Sequence, residues 1–213
     1  MTFATSQLRL YAITDRGCIG QRDLLSCIED ALRGGVTILQ LREKGLPEDA
    51  LIEEAVQVRK LCQKYGVPLI INDNYRAALE AGADGVHVGI EDAPVAEIRR
   101  LAGEGFIIGA TAKTVAQAQK AQAEGADYLG IGAVFPSPTK QNAIRITSEQ
   151  FREIKNSVRL PAVAIGGIAQ DNLPTLRGLG ADGFALVSAV FAQTDITGAC
   201  RTLRQIIHDT IAV

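Results

Sequence analysis

The sequence lacks the features that mark several protein classes. No apolar run in its 213 residues approaches the roughly 20 that span a bilayer. The first 14 residues hold one arginine and no long apolar segment, so we expect no signal peptide. The formal charge is -2, so there is no basic excess to bind nucleic acid phosphates. We therefore expect neither a membrane nor a nucleic acid as a partner.

Cysteine and histidine are also scarce. The four cysteines are scattered without a Cys-x-x-Cys pair, and the two histidines are His87 and His208. A zinc site of Cys/His type is therefore not expected. A chain of this size does not need disulfides, so we expect free thiols and a cytoplasmic location. No Ser-His-Asp or Cys-His arrangement is evident, and we expect His87 to be a packed core residue and His208 to lie on the surface.

Short apolar runs rich in β-branched residues recur along the chain. Each is apolar at nearly every position, as buried parallel strands require. There are eight, at residues 8–14, 36–42, 67–72, 84–88, 106–111, 127–134, 161–166 and 182–188. Helical patterns lie between them, at Glu48–Tyr65, 114–124 and 196–212 among others. The gap between the third and fourth runs is short, so that helix should be small.

A glycine-containing motif repeats before four of the predicted strands. It reads Gly-Gly-Val at 34–36 and Gly-Ala-Asp at 82–84, 125–127 and 180–182. Glycine suits a helix C-terminus that needs a positive φ. Eight strand–helix repeats without a composition break predict an α/β fold, a single (β/α)8 TIM barrel over residues 1–213. A doubly wound sheet is the alternative.

Cationic side chains follow the second predicted strand, where a barrel carries its chemistry. Gln40, Arg42 and Lys44 alternate with other residues, so we expect them to share one face toward the barrel mouth. Inward-facing cations need an anionic partner, and a phosphate suits both Arg and Lys. The alternative is a structural ion pair with Glu43 or another acid.

Carboxylates follow the third and fourth predicted strands. Asp73 and Asp92 would meet at neighbouring strand ends, where they could bind Mg²⁺ together with phosphate oxygens and water. The alternative is that each caps the helix that follows it, because Asp is a favoured N-cap. The sequence leaves both readings open.

Further phosphate-binding groups follow the later strands. Thr111 ends the fifth strand, and the long loop after the sixth contains Ser137, Thr139 and Lys140. The last two strands end at Gly166-Gly167 and at Val187-Ser188, where such barrels bind phosphate through backbone N–H groups. An exposed loop and a plain tight turn are the alternatives for these segments.

In order along the chain, these segments resemble the thiamine phosphate synthase family, also called thiamine-phosphate pyrophosphorylase. The matching segments are QLREK at 40–44, IND at 71–73, GVHVG and ED within 85–92, GATAKT at 109–114, GAVFPSPTK at 132–140, AIGGI at 164–168 and LVSAVF at 186–191. The resemblance covers nearly the whole chain. Departures from the family pattern stand at Ile90, at Ser137-Pro138 and at Gln141-Asn142.

The resemblance implies a transferase that joins a hydroxymethylpyrimidine diphosphate to a hydroxyethylthiazole phosphate and releases pyrophosphate with Mg²⁺. The pyrimidine diphosphate would be bound by Gln40, Arg42, Lys44, Asn72, Thr111 and Lys140. Of these, Arg42, Lys44 and Lys140 would be catalytic, because they neutralise the leaving charge. Mg²⁺ would be bound by Asp73 and Asp92, and the thiazole phosphate by Ser137, Thr139, Gly167, Val187 and Ser188.

Two other functions fit a barrel of this kind. A thiazole tautomerase of the same superfamily needs no diphosphate or Mg²⁺ site, so the presence of Asp73, Asp92 and Lys140 speaks against it. A non-catalytic thiamine-pathway binding protein would leave the cations and carboxylates unexplained. The sequence is compatible with a homo-oligomer, and it leaves open whether the thiazole enters as a carboxylated tautomer.

Overall fold

The computed structural model describes residues 3–136 and 145–211. Within them, eight parallel strands form one closed barrel in chain order, with β8 pairing back to β1. Seven strands lie inside their predicted runs and β5 extends one residue beyond its run, which confirms the (β/α)8 barrel. The strands are β1 Leu10–Ile13, β2 Ile38–Leu41, β3 Leu69–Asn72, β4 Gly85–Val88, β5 Ile107–Ala112, β6 Tyr128–Gly132, β7 Ala162–Ile165 and β8 Gly183–Leu186.

Helices surround the barrel. They are α1 Arg16–Ile19, α2 Leu24–Arg33, α3 Glu48–Tyr65, α4 Tyr75–Glu80, α5 Val95–Ala102, α6 Val115–Ala123, α7 Ser148–Asn156, α8 Ser188–Phe191 and α9 Ile196–Ile211. The predicted helices at 114–124 and 196–212 are confirmed to within two residues, and α4 is short as expected. Between β7 and β8 the alternation is weaker than predicted, because that segment forms a single 3-10 turn, Leu173–Leu176.

The long helix α3 has the ends and the buried face that its sequence pattern predicts. It begins after Pro47 and ends at Gly66, whose φ of 67° is left-handed. Leu51, Ala55 and Val58 are buried on one face, as their helical spacing predicts. No helix in the described part of the chain combines the length and apolarity needed to cross a bilayer.

Two hydrophobic cores flank the strands. The larger lies between the barrel and its helices, and the smaller fills the barrel interior. The interior core includes Tyr11, Ile38, Ile70, Tyr128 and Val163. Gln40, His87 and Thr111 lie near the C-terminal ends of β2, β4 and β5, which is the end where a ligand enters such a barrel.

The glycine-containing repeat is a structural device at the opposite end of the barrel. The glycines of its Gly-Ala-Asp copies have positive φ, as predicted, at 65°, 94° and 85° for Gly82, Gly125 and Gly180. The aspartate of each copy has a role that the sequence pattern did not indicate, because it accepts a hydrogen bond from a backbone N–H at the start of the preceding strand. The pairs are Leu69 to Asp84 at 2.8 Å, Ile108 to Asp127 at 2.7 Å and Ala162 to Asp182 at 2.8 Å.

Thr37 makes the corresponding contact before β2. Its Oγ1 accepts from the backbone N–H of Leu10 at 2.9 Å. The four contacts thus stand before β2, β4, β6 and β8, at every second strand. Because they satisfy backbone donors where the strand ladder begins, they fix register at the end of the barrel away from the predicted site.

Candidate active site

Arg42 is fixed at the mouth of the barrel by residues that follow β1. Its backbone N–H donates to Thr14 Oγ1 at 2.8 Å, and its Nη1 donates to Asp15 Oδ2 at 2.8 Å. The ion pair is partly exposed, with about one fifth of each side chain accessible. The structural ion pair considered for Arg42 therefore exists, but its partner is Asp15. A guanidinium has five N–H donors, so this contact leaves others free for a ligand.

Glu43 points away from the mouth and binds a different arginine. Its Oε2 accepts from Arg16 Nε at 2.9 Å, and Arg16 also pairs with Glu54 on α3. One oxygen of each glutamate is buried without a hydrogen-bond partner among the described residues. Burial, followed by the charge of Glu43, raises the pKa of Glu54, which favours its protonated form. Glu43 thus anchors the β2 loop to α1 and α3.

Lys44 is exposed in the same loop and has no acidic partner within the described residues. Gln40 is nearly fully buried, with 3% of its surface accessible, and lies inside the barrel. Accessibility therefore increases from Gln40 in the interior, through the partly exposed Arg42, to the exposed Lys44.

The ends of β3 and β4 bring together the two predicted metal ligands. Asn72 Nδ2 donates to Asp73 Oδ2 at 2.5 Å, and the backbone N–H of Asp73 donates to the His87 carbonyl at 2.8 Å. Asp73 has a φ of 63°, which is uncommon for a residue other than glycine and is typical of functional sites. Asp92 Oδ2 accepts from the Gly89 N–H at 2.7 Å.

The capping interpretation is wrong for both aspartates. Asn74 is the N-cap of α4, and its side chain accepts from the Ala77 N–H at 2.9 Å. Pro94 occupies the N-cap position of α5. Neither carboxylate therefore serves a helix terminus, and both remain at the mouth of the barrel.

The neighbouring carboxylate of Asp92 affects the pKa of Asp73. Asp73 is exposed at the mouth, but loss of surrounding water, and then repulsion and a side-chain hydrogen bond with Asp92, raise its pKa to about 6. Two carboxylates that repel each other in this way suit a divalent cation, which removes the repulsion. No group of three His, Cys, Asp or Glu suited to a metal occurs in residues 3–136 or 145–211. A cation at this pair would therefore complete its coordination with water or ligand oxygens.

Thr111 lies at the end of a hydrogen-bonded group that sequence reasoning missed. His87 Nε2 lies 3.1 Å from Thr111 Oγ1, and His87 Nδ1 lies 3.1 Å from the Tyr128 hydroxyl. Tyr128 contacts the Tyr11 hydroxyl at 2.7 Å, and Gln40 donates to Tyr11 at 2.7 Å. His87 is thus not an isolated core residue, and burial lowers its pKa to about 4.

The glycine loop after β7 is held by its neighbours. Gly166 and Gly167 have φ values of 100° and 65°. A side chain at Gly167 would collide with the Pro136 carbonyl, because an added Cβ would lie 2.2 Å from it. Asn172 Nδ2 donates to the Gly167 carbonyl at 2.9 Å. Both glycines are therefore needed for backbone conformation and close packing, beyond any contact with a ligand.

The end of β8 faces the same mouth. Val187 and Ser188 are partly exposed where β8 passes into α8. The structure therefore brings Gly167, Val187 and Ser188 to the C-terminal ends of β7 and β8, as predicted. The remaining predicted residues, Ser137, Thr139 and Lys140, lie outside the described part of the chain.

Comparison with known proteins identifies the family. The model of the family described as thiamine monophosphate synthase matches residues 10–190. Thiamine-phosphate synthase of Clostridium tetani is 42% identical over 194 residues, which cover 91% of this chain and 93% of the relative. The enzyme of that name from Chloroflexus aurantiacus is 45% identical over 203 residues, covering 95% and 94%.

A solved structure agrees with the sequence relatives. Thiamine phosphate pyrophosphorylase from Pyrococcus furiosus superposes with a TM-score of 0.89 at 37% identity, covering 97% of this chain and 98% of that one. The chain therefore belongs to the thiamine monophosphate synthase family.

Proposed function

We propose that this chain joins 4-amino-2-methyl-5-hydroxymethylpyrimidine diphosphate to 4-methyl-5-(2-hydroxyethyl)thiazole phosphate, giving thiamine phosphate and pyrophosphate. The observation that carries the proposal is the grouping of cations and carboxylates at one end of the barrel. Arg42 and Lys44 follow β2, and Asp73 and Asp92 follow β3 and β4. A mouth with this charge pattern suits a diphosphate accompanied by a divalent cation.

The pyrimidine diphosphate would lie over β2 to β5. Arg42 has free N–H donors beside its ion pair with Asp15, and Lys44 has no acidic partner in the described residues. Asn72 and Thr111 border the same space from β3 and β5. Gln40 lies deeper, where it would contact the pyrimidine end of the substrate.

Asp73 and Asp92 would hold Mg²⁺. Their fit rests on two features: loss of surrounding water, followed by repulsion from Asp92, raises the pKa of Asp73, and neither carboxylate caps a helix. When bound, Mg²⁺ supplies positive charge that neutralises the departing diphosphate.

The thiazole phosphate would lie at the other side of the mouth, over β7 and β8. Gly167, Val187 and Ser188 offer neutral backbone donors there, away from Arg42 and Lys44. A monophosphate without a metal suits such donors. Ser137 and Thr139 as further ligands of this phosphate, and Lys140 as a catalytic ligand of the diphosphate, remain predictions from sequence.

The reaction needs no protein nucleophile. The bond between the pyrimidine CH₂ and the diphosphate oxygen breaks, and both electrons leave with the diphosphate. The electron-rich aminopyrimidine stabilises the resulting cation, and the thiazole nitrogen lone pair then forms the new C–N bond. The chain's own residues hold two substrates in line and neutralise the leaving charge through Arg42 and Lys44.

The test is to supply both substrates with Mg²⁺ and to measure thiamine phosphate and pyrophosphate. We expect both products in equal amounts, and neither when one substrate is omitted. Conversion of the thiazole phosphate alone into an isomer would indicate the tautomerase, and tight binding without turnover would indicate a binding protein.

A further inference from the structure

A continuous hydrogen-bonded chain of five side chains crosses the barrel interior. It runs from Gln40 on β2 to Tyr11 on β1, Tyr128 on β6, His87 on β4 and Thr111 on β5, with contacts of 2.7, 2.7, 3.1 and 3.1 Å. The chain thus connects two residues assigned to the pyrimidine diphosphate through three residues that have no assigned role.

The donors and acceptors of this chain fit one direction. Gln40 Nε2 can only donate, so the Tyr11 oxygen accepts from it. Within the described residues Tyr11 has one other partner, Tyr128, so its own hydrogen must go there. Tyr128 then donates to Nδ1 of His87.

The state of His87 follows from that direction. If both ring nitrogens carried hydrogens, Tyr128 would have to accept from His87 and donate to Tyr11. The hydroxyl hydrogen of Tyr11 would then have no acceptor among the described residues, which is costly in a buried position. A neutral ring with its hydrogen on Nε2 satisfies every member, and that hydrogen is donated to Thr111 Oγ1.

The surrounding strands are shaped to hold the two rings. A Cβ added to Gly109 would lie 2.2 Å from Tyr128 Cζ and 2.4 Å from His87 Nδ1. A Cβ added to Gly130 would lie 3.0 Å from His87 Cε1. The rings pack with centroids 5.5 Å apart, so both glycines provide space that the rings occupy.

We propose that His87 is a positioning residue that sets the direction of the Thr111 hydroxyl. Because Thr111 Oγ1 accepts from His87 Nε2, its own hydrogen is free to turn to the mouth of the barrel. There it donates to an oxygen of the diphosphate. This inference rests on the proposed function in one respect, the assignment of Thr111 as a diphosphate ligand.

The direction of the hydrogen-bonded chain is tested by the tautomer of His87. The protein has two histidines, so His208→Gln leaves one imidazole to observe. His208 is exposed on α9, away from the interior, and serves only to simplify the spectrum. Long-range ¹H–¹⁵N correlation spectra should show His87 with its hydrogen on Nε2. A hydrogen on Nδ1 would reverse the chain and overturn the proposal.

The positioning of the Thr111 hydroxyl by His87 is tested by a double-mutant cycle that measures pyrophosphate affinity in the presence of Mg²⁺. His87→Leu should weaken pyrophosphate binding by about tenfold, and Thr111→Val by a similar factor. In the Thr111→Val background, His87→Leu should add little, because the hydroxyl that it positions is gone. His87→Gln, which keeps a donor near the Nε2 position, should bind within about threefold of the parent protein.

The outcomes separate the two claims. Additive losses in the cycle, or no recovery with a folded His87→Gln, would show that His87 only supports the fold and would overturn the positioning role. Because pyrophosphate binding is read without turnover, the cycle remains informative even if the parent protein forms no thiamine phosphate. That separate result would contradict the proposed function alone.

Discussion

Arg42 and Asp15 form an ion pair across the first two strand ends, with Nη1 2.8 Å from Oδ2. Asp15 is also the N-cap of α1, where it accepts from the Cys18 N–H. One carboxylate therefore both begins a helix and holds an arginine at the mouth. The arrangement suggests that Asp15 orients the guanidinium and leaves its remaining donors for the diphosphate.

We expect Asp15→Asn to raise the KM for the pyrimidine diphosphate roughly fivefold, because a partly exposed ion pair contributes about 1 kcal/mol. Asn is also a good N-cap, so the melting temperature should barely change. Steady-state kinetics with saturating thiazole phosphate measure the effect. A lower KM would mean instead that Asp15 competes with the diphosphate for Arg42.

Mg²⁺ should stabilise the folded protein through Asp73 and Asp92. At a concentration about a hundredfold above its Kd, a ligand of the native state adds about 2.7 kcal/mol. Thermal unfolding with and without Mg²⁺ measures the shift, and the double variant Asp73→Asn, Asp92→Asn should lose it. An undiminished shift in that variant would place the cation elsewhere.

The stabilisation by Mg²⁺ at Asp73 and Asp92 should depend on pH. The pKa of Asp73 is raised to about 6, so the cation-free folded state binds more protons than the unfolded chain between about pH 4 and 6. The contribution of Asp73 to the stability of the cation-free protein therefore falls as pH rises through that window. Mg²⁺ competes with the proton, so its stabilising shift should be larger at pH 7.5 than at pH 5. An equal shift at both values would argue against Asp73 as a ligand.

Gly167→Ala should weaken binding of the thiazole phosphate by about tenfold. A side chain there meets both a left-handed φ and the Pro136 carbonyl, so the loop must shift. Gly178→Ala is the matched control, because Gly178 has a φ of 73° and nothing within 4 Å of an added Cβ. Gly178→Ala should lose about 1 kcal/mol of stability from backbone strain, and Gly167→Ala should lose more because it also meets the Pro136 carbonyl. If the two variants bound the thiazole phosphate with equal affinity, the loop at Gly167 would not be part of the phosphate site.

Arg99→Met should lower the free energy of unfolding by about 2–3 kcal/mol. Arg99 donates to the carbonyls of Gly103, Phe106 and Gly125, and its Nη2 lies 2.7 Å from the Asp127 carboxylate. Arg100→Met is the control, because Arg100 is exposed on the same helix. Chemical denaturation of both variants measures the difference, and similar losses would mean that the Arg99 contacts contribute little.

The strands and the long helix could be predicted because their signals are local. Buried parallel strands are apolar on both faces, and α3 lies between a proline and a glycine that define its ends. The glycine of each Gly-Ala-Asp repeat was also readable, because a helix C-terminus favours a positive φ there. The aspartate of the repeat was not, because its contact lies on the preceding strand.

Contacts in the site were harder to predict because they join distant segments. Asp15 precedes Arg42 by 27 residues, and nothing near Arg42 in the sequence distinguishes Asp15 from Glu43 as its partner. Asp73 and Asn74 are adjacent and are both favoured N-caps, so only the backbone turn at Asp73 decides which one caps α4.

The hydrogen-bonded chain of five side chains depends on closure of the barrel. Tyr11 and Tyr128 lie 117 residues apart, and each resembles an ordinary strand aromatic. Gly109 and Gly130, within predicted strands, were the available signal, because glycine in a strand often marks the close approach of another group.

We expect one barrel mouth to hold the two anionic groups at opposite sides. A crystal structure with thiamine phosphate, pyrophosphate and Mg²⁺ would locate both groups. We expect pyrophosphate beside Arg42 and Lys44, Mg²⁺ between Asp73 and Asp92, and the thiamine phosphate group within hydrogen-bond distance of the backbone at Gly167 and Ser188. A thiamine phosphate group bound beside Arg42 and Lys44 would contradict this assignment.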